Sequence, residues 1–298
     1  MSKTKKRKPI WLKILIWLLS STFSIVALLG VGCGILYVKY EINAFEVINQ
    51  IRILNEDVDL DKLTPNAYSI SDMESAKLVT DAGFDGLISY TEQDGYAITP
   101  EEVSDNLLGE LKFTDRQIGA IIDNLMESQE EINIEIGSII NLKDYGFKIV
   151  QVQFSNITET TTDFNVVVKI DLTKLKEENM TSFPLNWIRR GIPDSLYFSA
   201  TTTITKGANA FEYTTEGKSL VINNLSSEET DSILSTINTF LKIGTTKEFS
   251  KIIGDTFINV LIGNESSSGL AYSLKDSGAT DFSFETDGTN SNYFIIEM

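Results

Sequence analysis

The sequence predicts an α+β fold: an N-terminal transmembrane helix, then an ectodomain of antiparallel, curved β-sheet packed with amphipathic helices. Three observations lead there. Residues 14–38 are a run of 25 positions without a charged side chain. Downstream, several segments place apolar residues at helical spacing behind capping signals. Others alternate apolar and polar with period two. Strands and helices come in runs rather than in strict alternation, which argues for antiparallel sheet.

The first element is the uncharged run. At 1.5 Å per residue it makes a helix of roughly 37 Å, against a hydrocarbon core of about 30 Å. Lipid offers no hydrogen-bond partners, so the backbone must satisfy itself as a helix. Lys3, Lys5, Lys6, Arg7, Lys8 and Lys13 precede it, and Glu41 and Glu46 follow. Positive charge stays inside, so residues 1–13 form a basic cytoplasmic tail and the C-terminal domain is extracellular. The expected location is the cell membrane, in a single pass. A cleaved signal peptide has a shorter apolar region and a small-x-small site. A lipoprotein box at Cys33 would need an aliphatic residue where Gly30 stands. Gly30 and Gly34 make a small-xxx-small pair that would pack two anchors as a homodimer. Glycine is also simply common in membrane helices.

Residues 1–40 hold seven of the 25 basic residues and none of the 42 acidic ones. The remainder therefore carries 18 basic against 42 acidic residues, a net of −24. That charge repels nucleic acid, so no nucleic-acid partner is expected. The chain has no histidine and one cysteine, Cys33, within the membrane run. Ser-His-Asp and Cys-His catalysis are thereby excluded, as are the usual zinc sites. No phosphate-binding loop occurs. No cofactor or metal is expected, and the composition leans away from an enzyme. Four glycosylation sequons, beginning at Asn156, Asn179, Asn224 and Asn264, are at the density chance gives in so Asn- and Ser-rich a chain.

Residues 39–55 read as a stalk helix, with Ala44, Val47, Ile48, Ile51 and Leu54 on one face. Residues 56–98 read as an acidic linker or small subdomain. Asp57, Asp59 and Asp61 have the spacing of calcium-loop ligands, but Lys62 and Tyr68 stand where that loop needs Gly and Glu. A short helix is expected from Ser71, with Glu74 closing a capping box, and turns at Gly83, Gly86 and Asp94-Gly95.

The main domain spans 99–298. Thr99-Pro100-Glu101-Glu102 predicts a helix start running to about Leu111. Thr114 to Gln117 opens another, ending near Ser128. Strands are expected around Ile132–Ile136, Phe147–Phe154, Phe164–Leu172 and Leu196–Thr205, then a pair at Phe211–Thr214 and Ser219–Ile222. Ser226 with Glu229 and Thr245 with Glu248 cap two further helices. Leu270–Lys275, Asp281–Glu285 and Asn292–Glu297 read as a three-stranded meander.

Phe113-Thr114-Asp115-Arg116-Gln117-Ile118 opens a helix ahead of the hairpins. Phe183-Pro184-Leu185-Asn186-Trp187-Ile188 and Ile192-Pro193-Asp194-Ser195-Leu196-Tyr197-Phe198 follow them. This order of anchor, helix, strands, helix and strands resembles the bacterial envelope members of the tubular lipid-binding (TULIP) superfamily. The two consecutive C-terminal helices stand where that family has one long helix. The resemblance implies a groove for lipid tails, with Ile118, Ile121, Leu125, Trp187, Ile237, Phe240 and Leu241 as candidate lining. Arg189 and Arg190 would contact a headgroup. Each has an ordinary alternative, in core packing for the apolar residues and in a solvated loop for the arginines. Three functions remain open. One is binding of a lipid or other apolar ligand. Another is a non-enzymatic scaffold docking to an envelope protein partner. The third is a carboxylate-based enzyme acting on wall polymer, which needs two carboxylates about 5 to 10 Å apart.

Overall fold

The computed structural model describes residues 49, 52–82, 84, 86–100, 103, 109–128, 133–135, 139–141, 146–171, 173, 193–241, 245–288 and 291–298. The expected span 14–38, with Gly30 and Gly34, lies outside them, as do Trp187, Arg189 and Arg190. Among the described residues no helix is long and apolar enough to cross a membrane.

The fold is α+β with antiparallel sheets and several helices. It begins with α1 (Leu60–Leu63) and α2 (Ile70–Asp81), then a hairpin of β1 (Ile88–Thr91) and β2 (Gly95–Ile98). Strand β3 (Glu110–Thr114) leads into α3 (Asp115–Ser128) and a short pair, β4 (Asn133–Glu135) and β5 (Ile139–Asn141). A four-stranded meander follows: β6 (Lys148–Ser155), β7 (Thr161–Asp171), β8 (Ser195–Lys206) and β9 (Tyr213–Ile222). Helices α4 (Ser227–Leu241), α5 (Thr246–Leu261) and α6 (Leu270–Ser273) come next. Strands β10 (Asp281–Thr286) and β11 (Asn292–Glu297) end the chain, in a three-stranded sheet of order β10-β11-β3.

The helix starts follow from local chemistry. At α3, the Thr114 N–H donates to the Gln117 side chain at 2.8 Å, and the Gln117 N–H returns to the Thr114 hydroxyl at 3.3 Å. Ser226 with Glu229 and Thr245 with Glu248 form the same reciprocal boxes. Each box satisfies N–H groups that an α-helix leaves without partners.

Two layers meet through phenylalanine. Phe154 of β6 packs against Phe164 of β7 at 5.6 Å between ring centroids and against Phe284 of β10 at 5.0 Å. Phe284 and Phe294 of β11 continue the row at 5.6 Å. Phe113, Phe154, Phe164, Phe257, Phe282 and Phe294 are all fully buried. Helix α3 lies on β6, and α5 on β8 and β9. The early stretch shares this core: Met73, Ala76, Phe84, Leu87 and Ile88 are buried in it. Tyr68 donates its phenol proton to the Ile149 carbonyl at 2.6 Å, and Arg116 pairs with Asp72 at 3.0 Å.

The end of the expected stalk is also tied down. Asn223 is 3 % exposed, and its side-chain amide donates to the Leu54 carbonyl at 2.9 Å while its Oδ1 accepts from the Tyr197 N–H at 2.7 Å. Asn224 donates to the Asp57 carbonyl at 3.0 Å.

Four local expectations change. Leu111, expected at the end of a helix, belongs instead to β3, where it and Phe113 are buried on one face while the chain pairs with β11; most of residues 101–108 lie outside the described residues. Helix α2 is capped by Ser69 and Asp72 instead of Ser71 and Glu74. The strands expected at Phe211–Thr214 and Ser219–Ile222 are joined in one continuous strand, β9 (Tyr213–Ile222), with a bulge opposite Thr201 and Thr202. A Cβ on Gly217 would sit 1.8 Å from the Lys247 carbonyl oxygen, so this glycine marks where α5 approaches the strand backbone. Finally, the strand expected at Leu270–Lys275 is instead α6 (Leu270–Ser273) followed by a turn at Leu274. Leu270, Ala271 and Leu274 are the residues this stretch buries, a helical spacing, and β3 supplies the third strand of the last sheet.

Candidate functional site

A cleft of about 410 Å³ opens where α3, α5 and α6 converge. Pro100, Leu125, Val260 and Leu270 give it an apolar side, and Asn259, Ser267, Ser268 and Ser273 a polar one. Leu125 comes from the last turn of α3 and Val260 from the last turn of α5. Leu270 and Ser273 are the two ends of α6.

The polar wall is a folded loop between α5 and α6. Asn264 accepts from the Ser266 and Ser267 N–H groups at 2.8 and 3.1 Å through Oδ1, which closes a tight turn. The neck of the loop is two glycines in contact: a Cβ on Gly263 would lie 2.1 Å from the Gly269 nitrogen, and Gly263 has φ +74°. Larger residues would hold the neck open and move the serines away from the cleft.

Two polar groups in the wall differ in access: the Ser267 hydroxyl is closed in, and Asn259 is held in one orientation. The Ser267 hydroxyl is shut off from bulk water and has no hydrogen-bond partner among the described residues. Asn259 is oriented by Tyr213, whose phenol donates to Oδ1 at 2.5 Å. Burial, and then the neighbouring Asp255 charge, push the Tyr213 phenol up to about 12, so it remains a donor at neutral pH. With Oδ1 engaged, Asn259 offers its Nδ2 amide protons. Among the described residues no charged side chain lines the cleft.

The sequence-derived groove candidates separate in space. Ile118 and Ile121 are 0 % and 1 % exposed, inside the core between α3 and its neighbours. Leu125, one further turn along α3, is half-buried and reaches the cleft. Ile237, Phe240 and Leu241 lie in the last two turns of α4. Trp187, Arg189 and Arg190 lie outside the described residues. Sequence reasoning missed Asn259, Ser267 and Ser273. Ser267 lies in the loop between Gly263 and Gly269, while Asn259 and Ser273 sit on helices as isolated polar residues that no local motif marks.

Other titratable clusters have structural partners. Asp115 is 7 % exposed, and burial pushes its carboxyl up to about 7 in spite of the hydrogen bonds from the Phe154 N–H and the Asn292 side chain. Asn292 also donates to the Phe154 carbonyl at 2.7 Å, so these two side chains close the free edge of β6. Asp59 of the acidic Asp57–Asp61 stretch is the N-cap of α1, accepting from the Lys62 N–H at 3.2 Å. Among the described residues no group of three or more acidic or cysteine side chains is placed to hold a metal ion. Comparison of the chain with protein-family models, with curated proteins and with solved structures gives no match.

Proposed function

We propose that this chain is a single-pass membrane protein, held by residues 14–38, whose extracytoplasmic α+β domain binds a lipid or other apolar ligand at the cell envelope. The observation that carries the binding reading is the cleft at Leu125. Its volume lies in the range of small-molecule sites, and it combines an apolar side with a few convergent polar groups. The resemblance of element order to the TULIP superfamily points the same way. The anchor reading rests on the uncharged run and the basic residues before it.

Two measurements test it. The full chain expressed in bacteria should stay with membranes through alkaline washing, and protease added to intact spheroplasts should remove the C-terminal domain. Native mass spectrometry of the purified full chain after exposure to total lipid extract should show one retained ligand per chain. Leu125→Trp, which fills the apolar side, should abolish that retention. A chain that carries nothing in either form would sink the binding reading.

A second reading, a scaffold docking to envelope machinery, is favoured by a different surface. Ile70 and Leu78 are 75 % and 70 % exposed, eight residues apart on one face of α2, and Tyr90 of the adjacent hairpin is 54 % exposed. Exposed apolar side chains of this size supply area that a docking partner would cover. Cross-linking in cells from position 78 to a protein, together with an empty cleft, would favour that reading.

A further inference from the structure

The chain enters the domain at one end of the four-stranded sheet and is clamped there, which decides which surface meets the bilayer. This inference rests on the reading of residues 14–38 as the anchor. Asn223 is the clamp. It is buried and stands at φ +49°, a conformation that asparagine tolerates better than most residues. Its N–H donates to the Tyr197 carbonyl at 2.9 Å, and its Oδ1 accepts from the Tyr197 N–H at 2.7 Å. Its Nδ2 reaches the other way, to the Leu54 carbonyl at 2.9 Å. Asn224 adds the bond to the Asp57 carbonyl at 3.0 Å.

Tyr197 lies near the start of β8 and Asn223 just past the end of β9, so the incoming chain is held where β8 begins and β9 ends. Asp171, the last residue of β7, pairs with Ser195 at this same end. The opposite end carries two turns. In one, the Thr160 carbonyl accepts from the Lys206 N–H at 2.8 Å; the other closes from the Gly207 N–H to the Glu212 carbonyl at 2.7 Å. Strand β8 has 12 residues, and at about 3.3 Å per residue it separates the two ends by roughly 35 Å. Only residues 39–48 stand between the uncharged run and Asn49, which is helical, as are residues 52–54. As the helix that the sequence predicts there, those residues advance about 15 Å, less than half the length of the sheet. The clamped end is therefore kept near the lipid. Charge decides how it meets that surface. Glu56, Asp57, Asp59 and Asp61 are exposed beside the clamp, and carboxylates of that density are repelled by anionic headgroups and do not enter the hydrocarbon.

We propose that the domain stands on the outer leaflet with the Asn223 end of its sheet facing the headgroup layer, without insertion, and with the turns at 156–160 and 207–212 farthest from the lipid.

The test uses the full chain with its single cysteine replaced, Cys33→Ser, and one exposed position made a label site. Ser227→Cys, at the start of α4, reports the clamped end, and Ala208→Cys reports the far turn. Each is labelled with a small fluorophore and reconstituted into phosphatidylcholine vesicles in which a minor fraction of the lipid carries a nitroxide on its headgroup. Flotation of the vesicles shows whether the chain is anchored, and quenching by the nitroxide reports closeness to the headgroups. The label at 227 should be quenched several-fold more than the label at 208. Equal quenching at the two positions, strong or absent, or stronger quenching at 208, in a chain that floats, overturns the orientation and leaves the anchor reading standing. A chain that does not float with the vesicles removes the anchor reading, and this inference with it.

Discussion

Asp115 shows what one buried carboxyl does to the pH response. Its folded value, about 7, stands above its ordinary value of 3.8 because burial disfavours the charge. Below both values it is protonated folded and unfolded, and it costs nothing. As pH rises between them the unfolded chain releases its proton first, so stability falls through this window and levels off above about 7. The loss is on the order of 4 kcal/mol by linkage. Asp115→Asn keeps an oxygen for the Phe154 N–H and removes the charge. Its melting temperature should exceed that of the wild type at pH 8, and the gap should narrow through pH 7 to 4 and close below the ordinary value of 3.8; parallel curves would refute this account. Asp163 works in the other direction. Burial pushes it up, but hydrogen bonds from Lys218, Thr203 and Asn156, with the Lys218 charge, outweigh burial and hold it low. Its contribution is complete above the ordinary carboxyl range and disappears as pH falls through its lowered value. Neither behaviour was legible in the sequence. Asp115 reads there as an ordinary first-turn acid of a capped helix, and Asp163 as a residue between two expected strands.

Among the elements, α5 shows how local and long-range information divide. Its start at Thr246, its Thr245–Glu248 box and its apolar face are legible within a few residues. Its seat is not. The helix rests on β9 at Gly217, a position that falls between the two short strands expected at Phe211–Thr214 and Ser219–Ile222. Gly217→Ala forces a methyl group into the Lys247 carbonyl and the Lys251 amide, so strand and helix must part. The expected loss is about 1–3 kcal/mol, seen as a lower urea midpoint. Thr245→Ala, which removes only the cap, should cost about 1 kcal/mol. Equal midpoints for Gly217→Ala and the wild type would mean that α5 does not sit there. The strand at β3 and the helix at α6 teach the same lesson. Short apolar runs fit either period, and the partner that covers them decides.

At the scale of the whole molecule, charge sets the behaviour. The ion pairs of the described residues are small and largely at the surface, such as Arg52–Glu56, Lys112–Glu285 and Lys251–Asp255. Exposed pairs of this kind contribute about 1 kcal/mol at most. Self-repulsion of a net −24 outweighs them. Raising sodium chloride to about 1 M, where the screening length is about 3 Å, should therefore raise the melting temperature of the detergent-solubilised chain. A fall would show that the ion pairs matter more than the net charge. From the sequence alone came the α+β class, the antiparallel sheet, the capped helices and a 25-residue run fit to span a bilayer. All of these depend on capping chemistry, charge and apolar spacing among residues close in the chain. The tertiary structure alone decided that Ile118 and Ile121 fill the core while Leu125 meets the cleft. It alone paired Phe113 of β3 with Phe294 of β11 and brought Asn259 and Ser267 to one wall. The reason is physical: a side chain's burial and its hydrogen-bond partners are set by whichever distant segment covers it, and local sequence carries no record of that segment.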